Sequence, residues 1–149
     1  MTDNVDISSL IIPIQNNALL LPNVAMAELV TLEEDISYDS ANRWNGGMFK
    51  WRGVDVPLII YDALVDTDIK DISGSHVAIL NTPSDNARCQ FVAILVCGIP
   101  RLTKLNSKDI SIADEEGSDY DKSLVRYQGE VYRIPNLDKL EQKAVTMLA

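Results

Sequence analysis

Gly46-Gly47-Met48-Phe49-Lys50-Trp51-Arg52-Gly53-Val54-Asp55-Val56-Pro57-Leu58-Ile59-Ile60 reads as a strand, a tight turn and a second strand. Arg52-Gly53 marks the turn, because glycine reaches positive φ without a steric penalty and two residues suffice to join antiparallel strands. The same style runs in both directions along the chain. Toward the N-terminus, Leu10-Ile11-Ile12-Pro13-Ile14 and Leu19-Leu20-Leu21 are apolar runs parted by Gln15-Asn16-Asn17, the spacing of a hairpin. Pro13 cannot donate to a ladder, so it belongs at an edge or a strand end. Val24 to Thr31 is a further strand, and the polar, acidic stretch from Glu33 to Asn45 is a surface loop.

Toward the C-terminus, Asp62 to Val65 forms one helical turn and Asp66 to Gly74 a polar link. His76 to Leu80 and Gln90 to Val96 are strands around a turn at Thr82-Pro83-Ser84-Asp85-Asn86. The second is almost continuously apolar, as a strand covered on both faces should be. Ile99 to Leu105 is a weaker strand, Asp109 to Asp121 an acidic loop, and Leu124-Val125-Arg126-Tyr127, Gln128-Gly129, Glu130 to Ile134 a last hairpin. Asn136 can cap a closing helix that places Leu137, Leu140, Ala144 and Met147 or Leu148 on one face. Many short strands and one late helix imply a mainly β protein of barrels or a sandwich. The link near residues 62–75 implies two small β subdomains within a single domain over 1–149.

Composition narrows the function. With 46% hydrophobic residues the chain can build a core, and disorder is not expected. A formal net charge of −9 repels phosphate backbones and anionic lipid, which argues against nucleic acid and membrane surfaces as partners. The longest apolar run, Phe91 to Cys97, is too short to insert into a bilayer, and Met1 to Asp6 lacks a basic region, so a cytoplasmic location is expected. Cys89 and Cys97 would sit roughly 26 Å apart on one strand, beyond disulfide reach, and read as small buried thiols. One histidine and no Cys-x-x-Cys leave zinc, or any other metal, without a ligand set.

Catalysis finds no foothold. His76 opens an apolar strand, and no Gly-x-Ser-x-Gly elbow surrounds a serine. Asp114-Glu115-Glu116-Gly117-Ser118-Asp119-Tyr120-Asp121 does not follow the calcium-loop pattern and reads as a solvated loop. Gly46-Gly47 lacks the lysine of a phosphate-binding loop. No enzyme activity and no cofactor are expected. A small enzyme with unusual chemistry would need a deep pocket with strongly shifted carboxylates.

Gly47, Arg52, Gly53, Val56 and Pro57, with Trp51 where the family has Leu, resemble the signature of the CheW-like chemotaxis coupling family. Met26-Ala27-Glu28-Leu29 is similar to that family's Val-x-Glu-Ile/Val, Phe91 to Ile99 to its Val-Gly-Ile-x-Val-Asp-x-Val strand, and Asn136 to Leu140 to its closing turn and helix. The four blocks lie in family order across nearly the whole chain. Leu21 to Val30 looks like the ChpC-type adaptors of type IV pilus chemosensory systems. Ala93, Cys97 and Arg133 depart from the family pattern.

The resemblance implies two SH3-like five-stranded β-barrel subdomains packed together with a short C-terminal helix. It implies a non-catalytic adaptor that couples a methyl-accepting type of chemoreceptor, through its cytoplasmic tip, to the regulatory domain of a CheA-type histidine kinase, with twitching motility as an output. A generic SH3-like barrel that binds another protein or peptide is the alternative. Arg52 matches the family's signature arginine, implicated in receptor coupling, Glu28 matches the family's Glu in the neighbouring strand, and the two are expected to pair. That pair either binds the partner or braces the hairpin. Met26 and Val24 line a groove or, as most strand hydrophobes do, belong to the core. Trp51 is a core plug or an interface anchor, and Gly47 and Gly53 serve backbone geometry.

Overall fold

The computed structural model describes residues 6–84 and 89–148. The eleven described strands are β1 (Ile7–Pro13), β2 (Ala18–Pro22), β3 (Met26–Thr31), β4 (Asn45–Trp51), β5 (Val54–Ile59), β6 (His76–Asn81), β7 (Phe91–Val96), β8 (Arg101–Leu105), β9 (Ile110–Ile112), β10 (Asp121–Tyr127) and β11 (Glu130–Pro135). A one-turn helix α1 (Tyr61–Val65) follows β5, and α2 (Leu137–Thr146) closes the fold. The part of the 82–86 turn that falls on Asp85 and Asn86 lies outside the described residues, as does the N-terminal reading for residues 1–5.

The strands form two sheets, ordered β8-β1-β2-β11-β10-β9 and β3-β6-β7-β5-β4. Both are built alike. Two hairpins, β1–β2 with β10–β11 and β6–β7 with β4–β5, join through one parallel pair, β2 with β11 and β5 with β7. A further strand flanks each first hairpin, β8 beside β1 and β3 beside β6. The six-stranded sheet thus repeats the five-strand order and adds β9 beside β10. In each sheet the two edge strands are neighbours in sequence, β8 with β9 and β3 with β4. This is the two-subdomain SH3-like architecture.

Three expectations need correction. The extra strand β9 arises inside the stretch read as an acidic loop, where Ile110-Ser111-Ile112 pairs with Val125 to Tyr127. Segment 62–75 does not part the subdomains, since it joins β5 to β6 of the same sheet and buries Ile69 beneath it. The chain crosses between sheets instead at the 3₁₀ turn Asn23–Ala25 and between β7 and β8. The strand read from Ile99 starts at Arg101, and Ile99 is exposed.

Period-two alternation builds the core. Leu10, Ile12, Leu19, Leu21, Ala78, Leu80, Val92 and Ile94 meet between the sheets, joined by Leu140 and Ala144 of α2. Ile11, Leu20, Val125 and Tyr132 fill the interior of one barrel, and Val56, Leu58, Val77, Ile79, Ala93 and Leu95 the other. Neighbouring residues on β1, β6 and β7 therefore serve different cores, and that is why these strands carry no polar alternation. Asn136 caps α2 by accepting from the Lys139 amide at 3.2 Å.

Candidate functional site

The β4–β5 turn places Arg52 and Gly53 at its two central positions, with φ of 50° and 77°. Two consecutive positive φ values give the turn the twist of the strands it joins. The turn carries Arg52 out over β3. A register shift between Met26 and Glu28 marks a bulge there, and Glu28 comes to face the turn. Arg52 Nη2 donates to Glu28 Oε1 at 2.6 Å. The pair bridges the two edge strands of the five-stranded sheet at one end. It is solvent-facing: the Arg52 side chain is 72% exposed and that of Glu28 36%, so its contribution to folding is at most ~1 kcal/mol.

Trp51 lies beneath this pair. The Arg52 guanidinium stands 5.1 Å from the centroid of its ring, and the ring meets Phe91 edge-on at 4.9 Å. Trp51 is half-buried against the five-stranded barrel's core, yet its buried Nε1 has no hydrogen-bond partner among the described residues. An unpaired buried donor costs about 1–3 kcal/mol. The indole is therefore both a plug for the barrel and the floor of the corner.

Val24 corrects the core reading: it sits in the 3₁₀ turn, not in β3, and is 84% exposed. Its carbonyl accepts from Asn81 Nδ2 at 3.3 Å. Met26 is half-buried and packs against the core between the sheets. Glu28, Trp51, Arg52 and Gly53 thus come together, with Met26 two residues ahead on β3. Gly47 does not join them. It lies at the far end of β4, five strand steps or roughly 16 Å from Arg52, where φ of 77° and a bond from its amide to Asn45 Oδ1 at 2.9 Å shape a second bulge. There it lines a cleft of about 720 Å³ between β4 and residues 30–37.

A second surface belongs to the other sheet. Ile7, Leu20, Leu21, Pro22, Leu105 and Ile110 line an apolar recess of about 360 Å³ at the barrel mouth. Ile7 is exposed there, as is Ile112 on the neighbouring edge strand β9. Nothing in any single stretch of sequence pointed to this recess, because its walls come from β1, β2, β11, the end of β8, the start of β9 and the turn between them.

Sequence reasoning also missed a partly buried polar ring that ties the sheets together. Asp62 accepts from the Gln15 amide at 2.5 Å and from Asn17 Nδ2 at 2.9 Å. Asn17 Oδ1 accepts from Arg133 Nε at 3.0 Å, and Arg133 Nη1 pairs with Asp121. Asp121 Oδ1 accepts from the Tyr61 hydroxyl at 2.6 Å, and Tyr61 adjoins Asp62. Burial and the Asp121 carboxylate push the Tyr61 hydroxyl well above the ordinary tyrosine range. Arg133, a departure from the family pattern, is a member of this ring. Cys89 is buried and Cys97 half-buried, and both are free thiols, raised above the usual range chiefly by burial. Among the described residues no cluster of three or more His, Cys, Asp or Glu could hold a metal ion, and no helix is long and apolar enough to cross a membrane.

No family model matches the sequence, and no curated protein matches it. The structure is similar to that of the scaffolding protein TtCheW from Thermoanaerobacter tengcongensis, with a TM-score of 0.68 and 13% identity over 91% of this chain and 92% of that one. At that identity the likeness is one of fold. The chain has the two-subdomain, SH3-like fold of a CheW scaffolding protein.

Proposed function

We propose that this chain is a non-catalytic adaptor that couples a chemoreceptor to a CheA-type histidine kinase in the cytoplasm. One observation carries the reading: each sheet presents its own exposed surface, the Arg52–Glu28 corner on one and the apolar recess around Ile7 on the other. An adaptor must hold two partners at once, and two separated surfaces on one chain meet that need. The corner offers a charged pair over an aromatic floor, suited to the cytoplasmic tip of a receptor's helical hairpin. The recess offers apolar side chains at a barrel mouth, suited to the related barrel of a kinase regulatory domain. The likeness of Leu21 to Val30 to ChpC-type adaptors supports, within this reading, an output through a type IV pilus system and twitching motility.

Calorimetric titration against a CheA-type regulatory domain and a soluble receptor hairpin tests the reading. Arg52→Ala should weaken the receptor hairpin at least tenfold with unfolding stability changed by less than ~1 kcal/mol. Ile7→Glu should weaken the kinase domain and spare the hairpin. If the unaltered chain binds neither, the adaptor reading fails. The cleft between β3 and β4 supports a second reading, a generic barrel that takes an extended peptide at those edges.

A further inference from the structure

A third surface lies where the sheets and α2 meet. Residues Asn42, Arg43 and Trp44, with Thr67, Tyr120 and Lys143, enclose a cleft of about 360 Å³. It runs into a second of about 280 Å³ that shares Tyr120 and Lys143 and continues along α2 past Lys139 and Asp119. We propose that this trough docks a short acidic segment of a partner protein.

Charge is the first argument. The chain carries 22 Asp and Glu against 13 Lys and Arg. Even so, Arg43, Lys139 and Lys143 gather here and none forms an ion pair among the described residues, whose pairs lie elsewhere. Asp119 is the one acidic residue lining the trough. A local positive site on a negative surface selects a short anionic segment, whereas a long polyanion would meet the repulsion of the rest of the molecule.

Rigidity is the second. Arg43 donates through Nη1 to the Ile69 carbonyl and through Nη2 to that of Thr67 at 3.3 Å. Those bonds orient the guanidinium without neutralising it. Lys143 is half-buried, its Nζ 4.3 Å from the Trp44 ring centroid and 5.9 Å from that of Tyr120. An ammonium partly shielded by aromatic rings and lacking a carboxylate gains more from an incoming acid than one in open water does. Trp, Tyr and Arg are also the residue types that dominate binding hot spots. The trough is open and elongated, with aromatic and cationic side chains side by side, which suits an extended peptide better than an enclosed small molecule. It is distinct from the corner and the recess, and stands whether or not these bind a receptor and a kinase.

The two tryptophans supply the test. ¹H–¹⁵N spectra of the full chain at low salt are recorded with a twelve-residue peptide of alternating Glu and Gly, and with its Gln-Gly counterpart. The Glu peptide should shift the Trp44 indole signal saturably and leave that of Trp51 in place. Affinity should fall several-fold at physiological salt, and at least tenfold in the Lys139→Gln, Lys143→Gln double variant. Lys143 also staples α2 to the body, so Lys139→Gln alone, at an exposed position, serves as the second variant and should cost about threefold with the spectrum otherwise unchanged. Shifts centred on Trp51, equal binding of the Gln-Gly peptide, unchanged affinity in both variants, or no saturable shift would each overturn the proposal. So would equal displacement by inorganic phosphate at the same concentration, which would mean a small-anion site.

Discussion

Tyr61 and Arg52 show how differently one side chain can be placed on the same framework. Arg52 is held out in solvent by its turn and contributes little to folding, so its ion pair with Glu28 is free to serve recognition. Tyr61 is buried, and its hydroxyl is held neutral by burial and by the Asp121 carboxylate beside it. The sign of the resulting pH dependence follows directly. Below about pH 10 the tyrosine is protonated in both folded and unfolded chains and exerts no pH dependence. Above that, the unfolded chain releases the proton and the folded chain keeps it, so stability falls as pH rises. Cys89 and Cys97, raised chiefly by burial, act in the same direction from about pH 8.5 upward. Urea unfolding of the unaltered chain should therefore show constant stability from pH 7 to 8 and a progressive loss toward pH 11. Tyr61→Phe should flatten the part above pH 10. Equal slopes for the two proteins would show that the hydroxyl ionises freely in the folded state.

The hairpins are the elements in which local sequence speaks most directly. Arg52-Gly53 and Gln128-Gly129 occupy equivalent turns in the two sheets, with φ pairs of 50°, 77° and 50°, 81°. Both were legible because a two-residue turn leaves only a few backbone solutions and glycine signals which one is used. A Cβ added at either glycine meets nothing within 4 Å, so the cost of Ala is conformational alone. Gly53→Ala and Gly129→Ala should each lose about 1 kcal/mol in urea unfolding. Only Gly53→Ala should also weaken a partner of the Arg52 corner. Equal binding losses would mean that the corner is not the docking surface, and a loss above ~3 kcal/mol would reveal packing that the open surroundings do not show. β9 was not legible. Three residues, two of them isoleucine, leave too little alternation to stand out from acidic neighbours, and the strand exists because β10 presents an edge for it.

At the scale of the molecule, the ring through Asp62, Asn17, Arg133, Asp121 and Tyr61 bridges the two sheets beside their shared apolar core. Arg133 and Asp121 come from the six-stranded sheet, and Tyr61 and Asp62 follow directly from the five-stranded one. The Asp121 side chain is wholly buried, so removing its cation strands a charge away from water. Arg133→Ala should cost about 3 kcal/mol. Amide exchange should rise at the facing strands of both sheets rather than in β10 and β11 alone. A loss under ~1 kcal/mol with exchange confined to β11 would show that apolar packing alone joins the sheets.

The sequence by itself determined the elements that local rules govern: the β class, the hairpins, the one-turn helix and the capped C-terminal helix. Its apolar runs also marked the strands that carry the core, since an apolar run in a short strand has few places to go. Pairing of Arg52 with Glu28 was reached through family resemblance, not spacing, for the two lie 24 residues apart. Only the tertiary structure decided which strands share a sheet, that residues 62–75 stay within one, that Val24 faces solvent, and that Arg133 closes a polar ring. Parallel pairings and buried charge networks join residues distant along the chain. Their energy depends on the environment both partners enter, and no single stretch of sequence encodes that environment.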